Sequence, residues 1–330
     1  MVQLGGFQKR MLAITGCVML LAGLGMQNSA RAQWPERQIT VLVCFPPGGV
    51  TDIAIRLVST QLSQALGKPV VVENRPGASG NLAIGAVARA APDGYTLLIC
   101  SSAFVVNPSL YVHANYDPLK DFSPIMVFGA APNIFVVPGS SDVRTFDGFV
   151  KKAKASGGKL NWTTPGPGTT PYMVGELIKL RLGFDMAHIP FAGAANATQA
   201  ILAGQVDMLG VNIGSIGPLL ASGKLQGIAQ TGKTRWPALS DVPTLGEVGI
   251  DGAVSDTFQG LVAPAGTPRP VIDRLAKELK TILTQPEIKE KYLKAGMESL
   301  AEGPDEFRAR ITREVPFYKE IIDRVGLRIK

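Results

Sequence analysis

Few residues in this sequence could serve as a nucleophile, a general base or a metal ligand. Only two histidines, His113 and His188, occur in 330 residues. That excludes most histidine-rich metal sites and leaves a Ser–His–Asp triad little to work with. Neither has a carboxylate and a nucleophile beside it in sequence. His188 ends a short apolar run before Pro190 and reads as structural, and His113 sits among Asn115, Tyr116 and Asp117 as a turn residue. Gly77-Ala78-Ser79-Gly80 lacks the spacing of a nucleophile elbow. Gly166-Pro167-Gly168 lacks the third glycine of a dinucleotide loop and the Gly-Lys-Ser/Thr of a phosphate cradle. No catalytic group, cofactor or metal is expected.

What recurs instead is a type of loop. Six segments, 45–52, 74–81, 101–107, 163–172, 190–199 and 211–217, are built from Gly, Ser, Thr, Asn, Ala and Pro, with Asp52 the one acid and Arg75 the one base. Such loops bring backbone N–H groups and hydroxyls close to a ligand, and any helix that starts in them adds partial positive charge. They could hold a carboxylate without a cationic side chain, with ordered water completing the bonds. Asp52 has two readings, stabilising the first turn of a helix or touching ligand or water. Phe45, Phe104, Tyr172 and Phe191 are either core or walls for a planar ligand. Trp162 reads as core and Trp236 as packing on a domain surface.

The elements that must position these loops alternate. Residues 39–45 (ITVLVCF) form an apolar, β-branched run of the buried parallel-strand type. Pro46-Pro47-Gly48-Gly49 ends it, and a helix follows to about Leu66 with Thr51 as its cap. A strand at 70–72, a small-residue helix at 81–90 and a strand at 95–100 complete a β-α-β-α-β unit, the signature of a doubly wound parallel sheet. The rhythm restarts after Pro138. Helices are expected at 145–155, 172–182, 194–203 and 218–222, and strands at 160–163, 186–189, 206–209 and 227–230. Two apolar stretches broken at Pro132 (125–137) and a second crossing at 258–262 connect the units. Three helices, 269–285, 287–295 and 304–325, have no sheet of their own and are expected to return to the first. Two crossings between two α/β units make a hinge and a cleft.

The first 32 residues read as an export signal. Lys9-Arg10 precede an apolar run from Met11 to Met26, too short for a typical span, and Ala30-Arg31-Ala32 fits a cleavage site. The mature chain, starting at Gln33, is expected not to be membrane-embedded, and its net charge falls from +7 to +4 with the loss of Lys9, Arg10 and Arg31. No segment is a basic stripe, so no nucleic-acid partner is expected. Cys44 and Cys100 each end an expected strand. They read first as buried free thiols. An exported compartment also permits a disulfide, which needs Cα atoms within about 7 Å.

Several motifs occur together and in order: Phe45-Pro46-Pro47-Gly48-Gly49 with Thr51-Asp52, Val72-Glu73-Asn74-Arg75-Pro76-Gly77, and Pro92-Asp93-Gly94-Tyr95-Thr96-Leu97-Leu98. Tyr116-Asp117-Pro118 with Lys120-Asp121-Phe122, Gly204-Gln205-Val206-Asp207, Asp241-Val242-Pro243-Thr244 and Ala263-Pro264-Ala265-Gly266-Thr267-Pro268 follow. Together they resemble the extracytoplasmic solute receptors of the tripartite tricarboxylate transporter system, the Bug receptors, over essentially all of 34–330. The resemblance implies a type II periplasmic-binding-protein fold, with two doubly wound α/β lobes joined by two crossing strands around a ligand cleft. On it the chain divides into a signal peptide at 1–32, a first lobe of 33–131 plus 257–330, and an inserted second lobe at 132–256. It implies a monomeric periplasmic receptor that captures a small organic acid by lobe closure, and a large and a small membrane subunit as transport partners. Two other roles share the same cleft: a sensory co-receptor for a membrane kinase, and a soluble enzyme.

Family contacts carried onto this chain place the ligand against Phe45, Pro47, Gly48, Gly49, Thr51 and Asp52, and against Ser101 and Ser102. The loop with Thr163, Thr164, Gly168, Thr169 and Thr170 follows, then Phe191, Ala192, Gly193 and Asn196, and then Asn212. The chain departs from relatives in telling places. Many have Tyr-Lys-Gly where this one has Phe191-Ala192-Gly193, an acid where it has Val211, and Pro and Gly where it has Cys44 and Cys100. The resulting pocket is more apolar, which points away from a tricarboxylate and toward a monocarboxylate, an aromatic acid or a neutral amide.

Overall fold

The computed structural model describes residues 34–250 and 256–329; the signal expected over 1–32 lies outside the described residues. Every element named here belongs to the unit Arg37–Lys330. Strand β1, Ile39–Val43, is held parallel between β2, Val70–Asn74, and β3, Thr96–Ser101. Helices α1, Val50–Leu66, and α2, Asn81–Ala88, make the crossovers. The expected β-α-β-α-β order is therefore present, and a further helix, α3, Ala103–Leu110, follows β3 where a loop is expected. The segment 101–107 is expected as loop, yet α3 forms despite Pro108 inside it; it is almost wholly buried and is held by packing rather than propensity.

Strand β4, Phe122–Pro138, is 17 residues long and nearly all apolar, buried along almost its whole length. Its first part pairs antiparallel with β9, Asp256–Pro264, as far as Pro132 opposite Asp256. From Asn133 onward it pairs with β7, Met208–Asn212, and with β8, Leu225–Gln230. Sequence alone suggests a break at Pro132, but the strand runs through. A residue without an N–H is tolerated here because it stands where the strand exchanges one set of partners for another. β9 in turn lies beside β3, so the two crossing strands join one group of strands to the other.

The second group has β5, Asn161–Thr163, parallel to both β6, Ala187–His188, and β7. Helices α4, Phe146–Ser156, α5, Thr170–Leu182, α6, Ala194–Leu202, and the short α7, Gly217–Ala221, connect its strands. The molecule has the expected two α/β lobes, with β4 and β9 as its crossings.

The C-terminal helices α8, Arg269–Leu283, and α9, Pro286–Lys294, pack back on α1, as expected. Between α9 and the last helix, α10, Pro304–Val325, lies an unforeseen strand, β10, Glu298–Glu302, antiparallel to β4. Its sequence, ESLAE, carries no strand signature; the edge of β4 recruits it. α10 touches both α3 and α5, so it bridges the lobes.

The free-thiol reading of the cysteines is corrected. Cys44 and Cys100 form a disulfide with Cα atoms 5.4 Å apart. The parallel register explains it: Val43 pairs with Ile99, which puts the next residue of each strand side by side. The bond joins residues 56 apart in sequence, and a chain-entropy account assigns such a loop about 4 kcal/mol of stabilisation. Replacing both cysteines by alanine should lower the unfolding free energy by about 2–4 kcal/mol, seen as an earlier guanidinium midpoint. An unchanged midpoint would mean that the bond contributes nothing to stability.

Candidate functional site

Three helices begin at one cavity. Thr51 lies in the first turn of α1, Thr169 precedes α5, and Asn196 lies in the first turn of α6. The residues before these helices, Gly49, Thr169 and Gly193, make no side-chain hydrogen bond to the helix they precede. Their leading N–H groups are thus left to a ligand or to water, and the helix dipoles add their positive ends. The cavity measures about 110 Å³, and among the described residues no charged side chain lines it. Phe45, Pro46, Pro47, Val50, Pro165 and Pro171 supply apolar wall, and Ala192, Ala194 and Ala195 complete it near the rim. Ser101, Asn212, Ser215 and Thr257 supply the remaining polar groups.

Beside the cavity lies a buried hub of neutral polar groups. Asn133 on β4 accepts at Oδ1 from Asn212 Nδ2 (2.8 Å) and from the Thr257 hydroxyl (3.0 Å). Its own Nδ2 donates to Thr170 Oγ1 at 3.1 Å, and Asn212 Nδ2 also donates to Thr257 Oγ1 at 2.9 Å. The hydroxyls of Thr170 and Thr257 meet in a short hydrogen bond. The backbone N–H of Asn133 donates to Thr231 Oγ1 at 2.9 Å. One residue comes from each crossing strand, one from the start of α5 and one from β7. Each is almost fully buried.

The structure brings Phe45, Pro47, Gly49, Thr51, Ser101, Thr169, Ala192, Gly193, Asn196 and Asn212 to the cavity wall. Gly48, Asp52, Ser102, Thr163, Thr164, Gly168, Thr170 and Phe191 do not line it. Asp52 is fully engaged in the first loop, accepting from Gly48 N–H, Arg56 Nε and Asn74 Nδ2 at 2.8–3.0 Å. Asn74 Nδ2 also reaches the Phe45 carbonyl, so this cluster fixes the loop that carries Phe45–Pro47. Ser102 Oγ accepts from Phe258 N–H at 3.0 Å and ties α3 to β9. Thr163 donates to the Ile189 carbonyl at 2.7 Å, bracing β5 against the segment after β6. Of the four aromatic residues considered as walls only Phe45 serves; Phe104 packs with Tyr116 and Phe122, Tyr172 with Trp162 and His188, and Phe191 with the second core.

Pro46, Val50, Pro165, Pro171, Ala194 and Ala195 line the cavity without having been singled out, although they lie inside or beside the expected loops. Ser215 lies in the last of those loops. Thr257 and Asn133 carry no loop signal, being polar residues inside crossing strands. Two glycines set the gap between the lobes. A Cβ on Gly168 would sit 2.3 Å from Asn107 Oδ1, and one on Gly193 would sit 3.2 Å from Pro46 Cγ. Both adopt positive φ, 82° and 90°, which favours glycine independently of the contact.

The titratable groups nearest the second loop are structural. His188 Nε2 lies 3.0 Å from Thr164 Oγ1, and its ring packs edge-on against Trp162 and Tyr172. Burial pushes its pKa down to about 4, helped by Lys179, and burial pushes Tyr172 up to about 12. Lys179 is ion-paired with Glu176 and Asp185, each at 3.1 Å. The imidazole is therefore neutral around neutral pH and props the 163–170 loop from behind.

Comparison with known proteins yields one consistent set. A sequence profile described as "Tripartite tricarboxylate transporter family receptor" matches residues 54–327. The "UPF0065 protein in tcbD-tcbE intergenic region" of Pseudomonas sp. (strain P51) is 32% identical over 319 residues, covering 94% of this chain and 95% of that protein. The structure titled "Structure of periplasmic binding protein BugD" superposes with a TM-score of 0.84 at 32% identity, over 90% of this chain and 100% of that one. An R. palustris protein solved with adipate superposes with a TM-score of 0.86 at 30% identity, over 90% of this chain and 100% of that one.

His188 also sets a pH dependence. Its folded pKa lies below the ordinary 6.5, so the unfolded chain takes up the proton first as pH falls. The stability linked to it is intact above pH 6.5 and is lost as pH falls toward about 4. A His188→Gln variant should lose less stability than the parent between pH 7 and 4.5 in chemical unfolding. Identical losses would show that folding does not depress the pKa of His188.

Proposed function

The chain belongs to the receptor family of the tripartite tricarboxylate transporters, and on that premise we propose that it is an exported receptor that captures a small organic acid between its lobes and delivers it to a membrane transporter. The family is one of binding receptors rather than enzymes. The observation that carries the reading is the meeting of three uncapped helix starts at a cavity that no charged side chain among the described residues lines. Such a site stabilises an anion by backbone dipoles alone. The adipate held by the R. palustris neighbour supports an organic acid as the class of ligand.

On this reading the leader over 1–32 is removed in the periplasm. Residues 33–131 with 257–330 form one lobe, and 132–256 form the other. Ligand engages the lobes in turn and shifts the population toward the closed form, whose outer face meets a large and a small membrane subunit. No helix among the described residues is long and apolar enough to cross a membrane, which fits a receptor that works beside its transporter rather than within it.

The test is a panel of organic acids against mature protein refolded free of carried-over ligand. An acid at one hundred times its dissociation constant should stabilise by about 2.7 kcal/mol, a rise of several degrees in Tm. Thr51→Val should then weaken that acid by roughly tenfold or more, the worth of a hydrogen bond to a charged group, while leaving the ligand-free Tm in place. Silence across the whole panel would overturn the receptor reading.

A further inference from the structure

We propose that the Cys44–Cys100 disulfide positions the cavity wall: it locks the two first-lobe loops that line the cavity, and the turn beside them that meets the second lobe, in the spacing that capture requires. The inference deepens the receptor reading, and its bearing on capture rests on that reading.

The bond stands where the sheet lets go of both chains. β1 and β3 stay in register as far as Val43 opposite Ile99, and a backbone bond from Cys44 N–H to the Ile99 carbonyl, 3.3 Å, ends the ladder. One residue past each cysteine the chain enters the cavity wall, as Phe45 on one side and Ser101 on the other. The first chain runs on through Pro47 and Gly49 into α1, and the second passes Ser102 into α3. Among the described residues no hydrogen bond joins 45–49 to 101–102. The Phe45 carbonyl accepts from Asn74 Nδ2, and Ser102 Oγ accepts from Phe258 N–H. Each loop is thus tied to its own neighbour, and the sulfur bridge ties the two to each other.

A third segment rests on the same bridge. Gly80 packs so closely that a Cβ there would sit 3.1 Å from Cys44 Cβ and 3.5 Å from the sulfur of either cysteine. It closes a turn in which Ala78 and Ser79 hold φ of 46° and 52°. That backbone is costly outside glycine and persists only where its surroundings dictate it. Tyr111 donates to Ser79 Oγ at 2.8 Å and Asn107 Nδ2 to the Ser79 carbonyl at 3.0 Å, while the disulfide backs Gly80. The turn meets the other lobe: a Cβ on Gly166 would lie 3.5 Å from Ser79 Oγ. Pro46, two residues past Cys44, meets Gly193 of that lobe in the same way.

The consequence is one of entropy. Loops ordered before an acid arrives lose no conformational freedom when it binds, so affinity is higher than loose loops would allow. A bond that served stability alone would act on unfolding and leave the folded cavity unchanged.

Mature protein refolded with and without a reductant separates the two roles. The reduced form keeps both sulfurs, so the bond is lost without the side chains. Cys44→Ala with Cys100→Ala is the second route should the reduced chain not refold. Amide hydrogen exchange is read first, with no acid present, at a temperature where both forms are fully folded. Amides in 45–53, 78–82 and 101–106 should exchange at least about tenfold faster in the reduced form, the worth of one backbone residue released. Those in 193–199, at the same cavity but on the second lobe, should change by less than about twofold. Adipate and the other acids of the panel are then titrated calorimetrically, and those that bind the oxidised form should bind the reduced form about tenfold more weakly. Faster exchange confined to the slowest core amides, with the three segments unmoved, would overturn the proposal and leave the bond a stabiliser of the fold. Loosened loops with unchanged affinity would overturn it too, because capture would not depend on their spacing. If no acid binds the oxidised form, the receptor reading fails, and the exchange pattern alone decides whether the bond positions the wall.

Discussion

Asn133 and Thr257 impose the constraint on which the rest depends. Each places a polar side chain in a buried position of a crossing strand. A buried amide or hydroxyl left unpaired costs about 1–3 kcal/mol, so both strands must run where partners exist. Asn212 and Thr170 provide them, which fixes β4 against β7 and sets the start of α5 at the same point. A fully apolar contact could slide, whereas this hub has one satisfied arrangement of its heavy atoms. The crossing of the lobes, the start of a cavity-lining helix and a cavity-lining amide are thereby one assembly.

The same economy governs the electrostatics. The charged side chain nearest the first loop, Asp52, is used up in shaping it, and Arg56 and Asn74 complete that task. Lys179 is occupied by two carboxylates in the second lobe. What faces the cavity is peptide dipole, hydroxyl and amide, held by groups that stand behind the wall. Fixed dipoles cost no rearrangement when an anion arrives, and neutral walls leave room for hydrocarbon.

How much of this was legible in the sequence depended on where each residue sat. The β-α-β-α-β order showed because apolar β-branched runs such as ITVLV alternate with turn chemistry such as PPGG. The cavity loops showed because backbone approach requires Gly, Pro, Ser and Thr in clusters. Asn133 and Thr257 stayed hidden, since a polar residue inside a strand looks like any surface position until its partners are known. β10 stayed hidden because ESLAE becomes a strand only through the edge offered by β4. The disulfide needed the relative register of β1 and β3, a long-range fact that spacing along the chain does not contain. Phe104 and Tyr172 were ambiguous for the same reason, aromatic rings being equally suited to core and wall.

The two glycines between the lobes carry one more consequence. At Gly168 and Gly193 the second lobe presents bare backbone to Asn107 and Pro46. Side chains at a contact can turn aside for an oversized guest, but main chain braced by a helix start cannot. On the second lobe's side the distance of closest approach is therefore set, like one jaw of a calliper, by main chain, against the side chains of Asn107 and Pro46. A molecule one methylene too long would leave the jaws ajar instead of being accommodated at some small penalty. Length is thus limited by backbone, which cannot rotate out of a ligand's way as a side chain can.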